Sequence, residues 1–149
     1  MPGRQRVQEL IAHVEQGNFP EAIERFYDEH VVMRDNLNAP TVGRAANVER
    51  ERGFKNYIAT LHESRAKAVV IDDDRVVIHW ILDFTGTDGK RTRFDQLAFQ
   101  LWQEDRIVEE RFVYDPGTLH FVRQVTDTLG GSWDTTELGA PPGTSADSR

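Results

Sequence analysis

Two groups in this chain are suited to exchanging a proton near neutral pH: the imidazole of His79, set in an apolar run, and the carboxylate of Asp35, which ends the segment Val31-Val32-Met33-Arg34-Asp35. An imidazole titrates close to neutrality, and a carboxylate able to reach it orients the ring or tunes its pKa. Either group could take a proton from the carbon next to a carbonyl. Plainer readings stand beside this one, with His79 a hydrogen-bonded core histidine and Asp35 a cap or turn ligand for the loop that follows. The other histidines, His13, His30, His62 and His120, show no i,i+4 ligand pairing, so no metal site is expected. The chain has no cysteine, which excludes thiolate nucleophiles, thiolate metal sites and disulfides. Ser64, Ser132, Ser145 and Ser148 lie in no nucleophile-elbow pattern, and there is no glycine-rich phosphate loop, so no cofactor is expected. Asp72-Asp73-Asp74 reads as a solvated turn rather than a cation site, since further ligands are not evident.

These groups sit in a chain of 149 residues, long enough for one domain with a real core. The formal net charge is −7, and the basic residues are interleaved with acids, as in Glu49-Arg50-Glu51-Arg52. That run reads as a solvated helix face, and the balance argues against a nucleic-acid partner, which requires a concentrated basic face. No apolar stretch approaches the ~20 residues of a membrane span, and Met-Pro-Gly-Arg-Gln-Arg lacks a signal-peptide apolar region. A cytoplasmic protein without membrane partners is expected.

Helices come first. Val7, Leu10, Ile11 and Val14 share one helical face, and Gly17 ends that helix. Asn18, Pro20 and Glu21 restart the chain as a second helix with Ala22, Ile23, Phe26 and Tyr27 as its stripe. A short strand, Val31–Met33, and a loop at Asn38-Ala39-Pro40 precede a third helix over Arg44–His62, which carries Phe54, Tyr57, Ile58 and Leu61 and is weakened by Gly53. Strands follow at Ala66–Ile71, Val76–Thr85, Thr92–Trp102 and Ile107–Tyr114, an antiparallel meander with long segments suited to a curled sheet. Asp115-Pro116 can start a short helix with Leu119, Val122 and Val125. The fold class is α+β, with residues 1–126 the domain and 127–149 a loose or partner-contacting tail.

Register decides which residues meet. With Asp88-Gly89 as the central pair of a type I′ turn, His79 lies opposite Ala98, Ile81 opposite Gln96 and Asp83 opposite Phe94, all on one face. The other face then carries Ile78, Trp80, Leu82, Leu97, Phe99 and Leu101. For the second turn, a two-residue loop sets Ala98 against Arg111. A three-residue loop, Glu104-Asp105-Arg106, sets Ala98 against Phe112 and Tyr114 beside Gln96; it is preferred because it gathers aromatic residues on the mixed face and sends Glu109 and Arg111 outward.

Two helices, a short strand ending in an acid, Thr41-Val42-Gly43-Arg44, a third helix and a meander closing in Ile107-Val108-Glu109-Glu110-Arg111-Phe112-Val113-Tyr114-Asp115 together resemble the SnoaL-like branch of the nuclear transport factor 2-like superfamily, over roughly Val7 to Val125. The resemblance implies a cone in which a curled sheet wraps the long helix and leaves a pocket at its open end. On that template the concave face carries Met33, Asp35, His79, Ile81, Asp83, Phe94, Gln96, Ala98, Glu110, Phe112 and Tyr114, with Phe54 and Ile58 from the helix, and with Asp83 and Glu110 toward the wet rim.

Relatives of this kind include polyketide cyclases, ketosteroid isomerases, epoxide hydrolases, dehydratases and binding domains. The epoxide-hydrolase group of Asp-Arg-Asp with Tyr and Asn is not matched, the corresponding places reading Ile81, His79, Phe112, Met33 and Asp35. The isomerase base matches Asp35, with a one-residue ambiguity against Arg34, but the place of its second acid reads Ala98. A cyclase requires only one acid–base carboxylate or histidine. Two functions are therefore carried forward: a cofactor-free enzyme moving protons on a small apolar carbonyl compound through Asp35 and His79, and a non-catalytic binding or dimerisation module. A homodimer is expected because Trp80, Leu97, Phe99 and Leu101 would otherwise leave a large apolar face exposed.

Overall fold

The computed structural model describes residues 2–116. The expected helix with Leu119, Val122 and Val125 and the expected loose tail lie outside these residues. Along the chain run α1 (Arg4–Glu15), α2 (Phe19–Phe26), β1 (Tyr27–Asp35), β2 (Thr41–Val42), α3 (Arg44–Tyr57), β3 (Ile58–Asp72), β4 (Arg75–Gly86), β5 (Arg91–Gln103) and β6 (Arg106–Val113). The strands form one mixed sheet in the order β2-β1-β6-β5-β4-β3, with β1 parallel to β6 and every other pair antiparallel. Helices cover its concave side, giving the α+β cone.

The helical stripes do what their spacing dictates. Val7 and Leu10 of α1 are buried, with Ile11 and Val14 packed beside them, and α2 buries Phe19, Pro20, Ala22, Ile23 and Phe26. Gly17 adopts φ +80° at the break between the two helices, a conformation that glycine takes without a Cβ clash. At the far end of the sheet a smaller cluster of Phe19, Leu82 and Phe84 gathers Phe54, Tyr57, Ile58, Leu61 and Phe94.

Two element boundaries differ from expectation. Helix α3 ends at Tyr57 rather than His62, because β3 begins at Ile58 and pairs with β4 along its whole length. The junction is tied down by Tyr57, whose carbonyl accepts from Thr87 N–H at 2.8 Å and whose hydroxyl donates to Asp88 at 2.7 Å. Strand β1 is also longer than expected, since Tyr27 already pairs with Ile107. In both places a ladder partner distant in sequence overrides local pattern.

The β4–β5 hairpin shows the consequential difference. Gly86 N–H donates to Lys90 O at 2.9 Å, so the loop is Thr87-Asp88-Gly89, three residues, with Gly89 at φ +82°. That loop, a turn closed by a left-handed glycine, replaces the two-residue turn read from Asp-Gly. Because side chains alternate, the one-residue slip turns β4 over relative to β5. Trp80 lies opposite Gln96, Leu82 opposite Phe94 and Ile78 opposite Ala98. The β5–β6 turn errs the other way and is then corrected. Gln103 pairs with Arg106 across a two-residue loop, and a bulge between Leu101 and Trp102 restores the expected pairing of Ala98 with Phe112.

Candidate active site

The concave face presents two hollows that share part of their lining. The inner one, about 60 Å³, lies between α1, α2 and the sheet and is lined by Leu10, Val14, Phe19, Ala22, Ile23, Tyr27, Met33, Glu51, Trp80, Gln100, Glu110 and Phe112. The outer one, about 190 Å³, is lined by Asp35, Arg50, Glu51, Phe54, Leu82, Phe94, Gln96, Phe112 and Tyr114. Glu51 and Phe112 line both.

At the outer mouth Asp35 closes β1. Its Oδ1 accepts from Arg50 Nη2 at 2.9 Å and its Oδ2 from the Tyr114 hydroxyl at 3.1 Å. Burial and the neighbouring Asp35 carboxylate raise the Tyr114 pKa. Aromatic edges enclose the rest: Phe94 packs at right angles against Tyr114, and Phe54 against Phe84.

Glu51, one residue after Arg50, turns inward. Burial lifts its pKa to about 7, with Arg50 pulling downward and Asp35 pushing upward. Among the described residues it has no hydrogen-bond or ion-pair partner. A carboxyl group of that kind, poised near neutrality and facing a hollow, can both accept and return a proton.

Deeper still, Glu110 is 2 % exposed, held by Tyr27 Oη at 2.5 Å on Oε1 and by Gln100 Nε2 at 2.7 Å on Oε2. Trp102 Nε1 in turn donates to Gln100 Oε1 at 3.0 Å. Burial carries Glu110 up to about 7 against the pull of these two hydrogen bonds, and it carries the Tyr27 hydroxyl well above its ordinary value.

Of the expected site residues, Met33, Asp35, Phe54, Phe94, Gln96, Glu110, Phe112 and Tyr114 line one hollow or the other. Ala98 is buried in the core on the same face. Glu110 lies at the bottom of the cone, not at its rim. The expectation fails for β4, where the hairpin slip sends His79, Ile81 and Asp83 to the convex side. His79 Nε2 meets Asp95 Oδ1 at 2.6 Å there, Ile81 lies between Arg65 and Asp95, and Asp83 accepts from Arg91 at 2.9 Å and Arg93 at 3.3 Å. Ile58 starts β3 and packs in the smaller cluster rather than in either hollow. Trp80, expected outside, lines the inner hollow.

Residues missed by the sequence reading are Glu51, Arg50, Tyr27, Gln100, Trp80 and Leu82. One signal for Glu51 was present. Asn47, Glu51 and Phe54 stand at i, i+4 and i+7 of α3, and Asn47 is fully buried, so the same stripe carries Glu51 inward. Within the alternating charges of Glu49-Arg50-Glu51-Arg52 this inward position does not stand out from a solvated helix face.

No group of three or more metal-ligating side chains exists among the described residues, and none of their helices is long and apolar enough to cross a membrane. No curated protein matches the sequence. In structure the chain is similar to an LEH-like epoxide hydrolase from M. tuberculosis, with a TM-score of 0.69 and 12% identity over 85% of this chain and 95% of that one. It is similar to TerC co-crystallised with polyporic acid, TM-score 0.65 and 13% identity over 80% and 96%. A third likeness is to a protein of ketosteroid isomerase-like fold from Catenulispora acidiphila in complex with trimethylamine, TM-score 0.63 and 12% identity over 78% and 89%. At such identities these likenesses establish the fold alone. The sequence itself matches the model of the SnoaL-like domain over residues 7–110, and with the cone now described, the chain belongs to that SnoaL-like family of the nuclear transport factor 2-like superfamily.

Proposed function

We propose that this protein is a cofactor-independent acid–base enzyme of the isomerase, cyclase or dehydratase type, acting on a small apolar carbonyl compound. The observation that carries the reading is Glu51, which lines both hollows of largely apolar lining, has no hydrogen-bond or ion-pair partner among the described residues, and is lifted by burial to a pKa of about 7. Glu51 takes and returns the proton. Burial keeps Glu51 protonatable near neutrality, and Asp35, fixed by Arg50 and Tyr114 in the lining of the outer hollow, adds a smaller upward push. Phe54, Leu82, Phe94 and Phe112 supply the apolar walls that hold the carbon skeleton.

The test is turnover on a ketone substrate found by ligand screening. Glu51→Gln, nearly isosteric, is expected to lower kcat by roughly 10²–10⁴, the contribution of a positioned acid–base group. His79→Gln, on the far side of the sheet, is expected to leave it within about twofold, being a surface polar pair. Equal activity in Glu51→Gln and the parent overturns the reading. The non-catalytic alternative is favoured by a different observation, the exposed Leu97 and Phe99 on the convex face, where a second copy of the chain would bind. Ligand binding by the parent protein without turnover supports that alternative.

A further inference from the structure

Helix α3 carries a buried oxygen that no donor among the described residues satisfies. Asn47, in its first turn, is fully buried, and its Nδ2 donates to Gly43 O at 2.8 Å and to Thr41 O at 3.1 Å. Carbonyl oxygens only accept, so these two partners fix which end of the amide is the nitrogen. Oδ1 therefore faces away from the β2–α3 junction, and there it stands without a hydrogen bond. A buried acceptor left in this way carries the desolvation cost of a lost hydrogen bond. Asn47 lines neither hollow, which leaves the neighbouring side chains as the source of a donor.

One turn further along the same inward stripe stands Glu51, which also has no hydrogen-bond or ion-pair partner among the described residues. Helical residues four apart have Cβ atoms about 5–6 Å from each other. Side chains on a helix lean toward its N-terminus, so Glu51 leans back over Asn47. A carboxylate can only repel Oδ1, acceptor against acceptor, whereas a protonated carboxyl group carries the hydrogen that Oδ1 lacks. Arg50, at i+3 from Asn47, is drawn off to the mouth by Asp35 at 2.9 Å.

We propose that Asn47 is a positioning residue for Glu51: its Oδ1 accepts a hydrogen bond from the protonated carboxyl group, drawing it back against α3, and repels the carboxylate, turning it out to the hollows. No proton leaves Glu51 in this contact, since its O–H bond stays intact and Oδ1 only accepts. The proposal rests on the acid–base reading of Glu51 for its part in turnover, and it adds what holds the proton between uptake and return. A carboxyl group that moves between two positions suits a base that carries a proton from one substrate atom to another.

The charged and titratable groups facing Glu51 are Arg50 from α3, Asp35 and Tyr27 from β1 and Glu110 from β6. Burial is the largest influence and favours the protonated form, Arg50 favours the carboxylate, and Asp35 favours the protonated form again. A hydrogen bond made only by the neutral carboxyl group acts in the same sense as burial.

The experiment uses the full chain with carbon-13 in the side-chain carbonyl of asparagine and the carboxyl of glutamate, followed by NMR from roughly pH 5 to roughly pH 9, two units either side of the Glu51 value of about 7. The Asn47 carbonyl signal should titrate with the midpoint of the Glu51 carboxyl. In Glu51→Gln the new NH2 group is a permanent donor, so the Asn47 signal should stay at its low-pH position throughout. Asn47→Leu, similar in volume, should lower the Glu51 midpoint by about one pH unit, the equivalent of one hydrogen bond. An Asn47 signal that does not change with pH overturns the proposal, and this reading of the parent protein holds even if Asn47→Leu fails to fold. A signal fixed at the hydrogen-bonded position at every pH assigns Oδ1 to a buried water or to Arg50 instead, and overturns it equally. Loss of turnover in Glu51→Gln with an invariant Asn47 signal leaves the acid–base reading standing and removes the positioning residue. An Asn47 signal that follows Glu51 while Glu51→Gln turns over normally upholds the contact and removes the acid–base reading.

Discussion

Tyr114 donates its hydroxyl to Asp35 at 3.1 Å, joining the residue just past β6 to the last residue of β1 across the mouth of the outer hollow. The contact follows from the parallel β1–β6 pairing, which sets Asp35 beside Phe112 and leaves Tyr114 to reach back. Asp35 raises the pKa of Glu51, while Arg50 opposes it. In Asp35→Asn the upward push vanishes and Arg50 is released from its partner. The Glu51 carboxyl should then titrate below its present value of about 7, seen by carbon NMR and as a shift of the kcat/KM profile toward acid. A Glu51 midpoint that stays put in Asp35→Asn refutes the electrostatic link.

Stability should depend on pH in a direction opposite to that of most acidic side chains. The folded-state pKa of Glu110, about 7, lies above its ordinary 4.5, so the folded protein holds this proton more tightly than the unfolded chain does. The resulting stabilisation is fully present below about pH 4.5 and is lost as pH rises through about 7. Glu51 adds to the trend in the same sense. For Glu110 alone the difference is worth roughly 3 kcal/mol at 1.36 kcal/mol per pH unit. Denaturant midpoints measured between these pH values should fall with rising pH, and the slope should flatten in Glu110→Gln. A midpoint that rises across this window contradicts the burial of an uncharged Glu110.

Much of this site was legible in the sequence, and its failures share one physical origin. Stripes such as Val7, Leu10 and Val14, or Ala22, Ile23 and Phe26, are local, so the helices and the order of strands followed from them. The aromatic residues of β6 do face inward, because a turn one residue shorter than the pattern suggests is offset by a bulge of one residue between Leu101 and Trp102. No bulge compensated in β4–β5. There the loop took three residues instead of two, and His79, Ile81 and Asp83 exchanged faces with Trp80 and Leu82. The Asp-Gly pair locates a hairpin but does not count its loop, because a left-handed Gly89 suits either turn. Glu51 and Glu110 were harder for another reason: a carboxyl group reads as surface until its tertiary neighbours are known.

The loop length itself depends on a close approach. Gly86 closes the hairpin against Tyr57, and a Cβ added there would fall 2.2 Å from Tyr57 Cζ. The ring cannot retreat freely, since its hydroxyl is bonded to Asp88. Gly86→Ala should therefore cost about 1–3 kcal/mol, the usual range for overpacking, or roughly 3–10 °C in Tm for a domain of this size. In a Tyr57→Ala background the same change should cost much less, a coupling that a double-mutant cycle reads directly. Additive losses would mean that Gly86 matters for its backbone and not for the space Tyr57 fills.

The convex face leads to the last prediction. With Trp80 turned inward, the apolar surface there is smaller than expected, yet Leu97 is 38% exposed and Phe99 44%. Beside Phe99, Val32, Leu101, Arg34, Arg75, Glu109 and Arg111 surround a shallow hollow of about 460 Å³. Phe99 pairs with Arg111 and Leu101 with Glu109, so apolar and charged side chains alternate across β5 and β6 in rows. A second copy packed on these rows would cover the apolar residues and give the charges partners, which is how two-fold interfaces hide patches of this kind. Light scattering at micromolar concentration should thus read twice the 17.1 kDa of one chain. Phe99→Glu, placing a charge in the middle of the face, should shift it to a monomer without lowering the ketone affinity of the opposite, concave side. A parent protein that scatters as a monomer rules out this interface, and a dimer that survives Phe99→Glu places it on another surface.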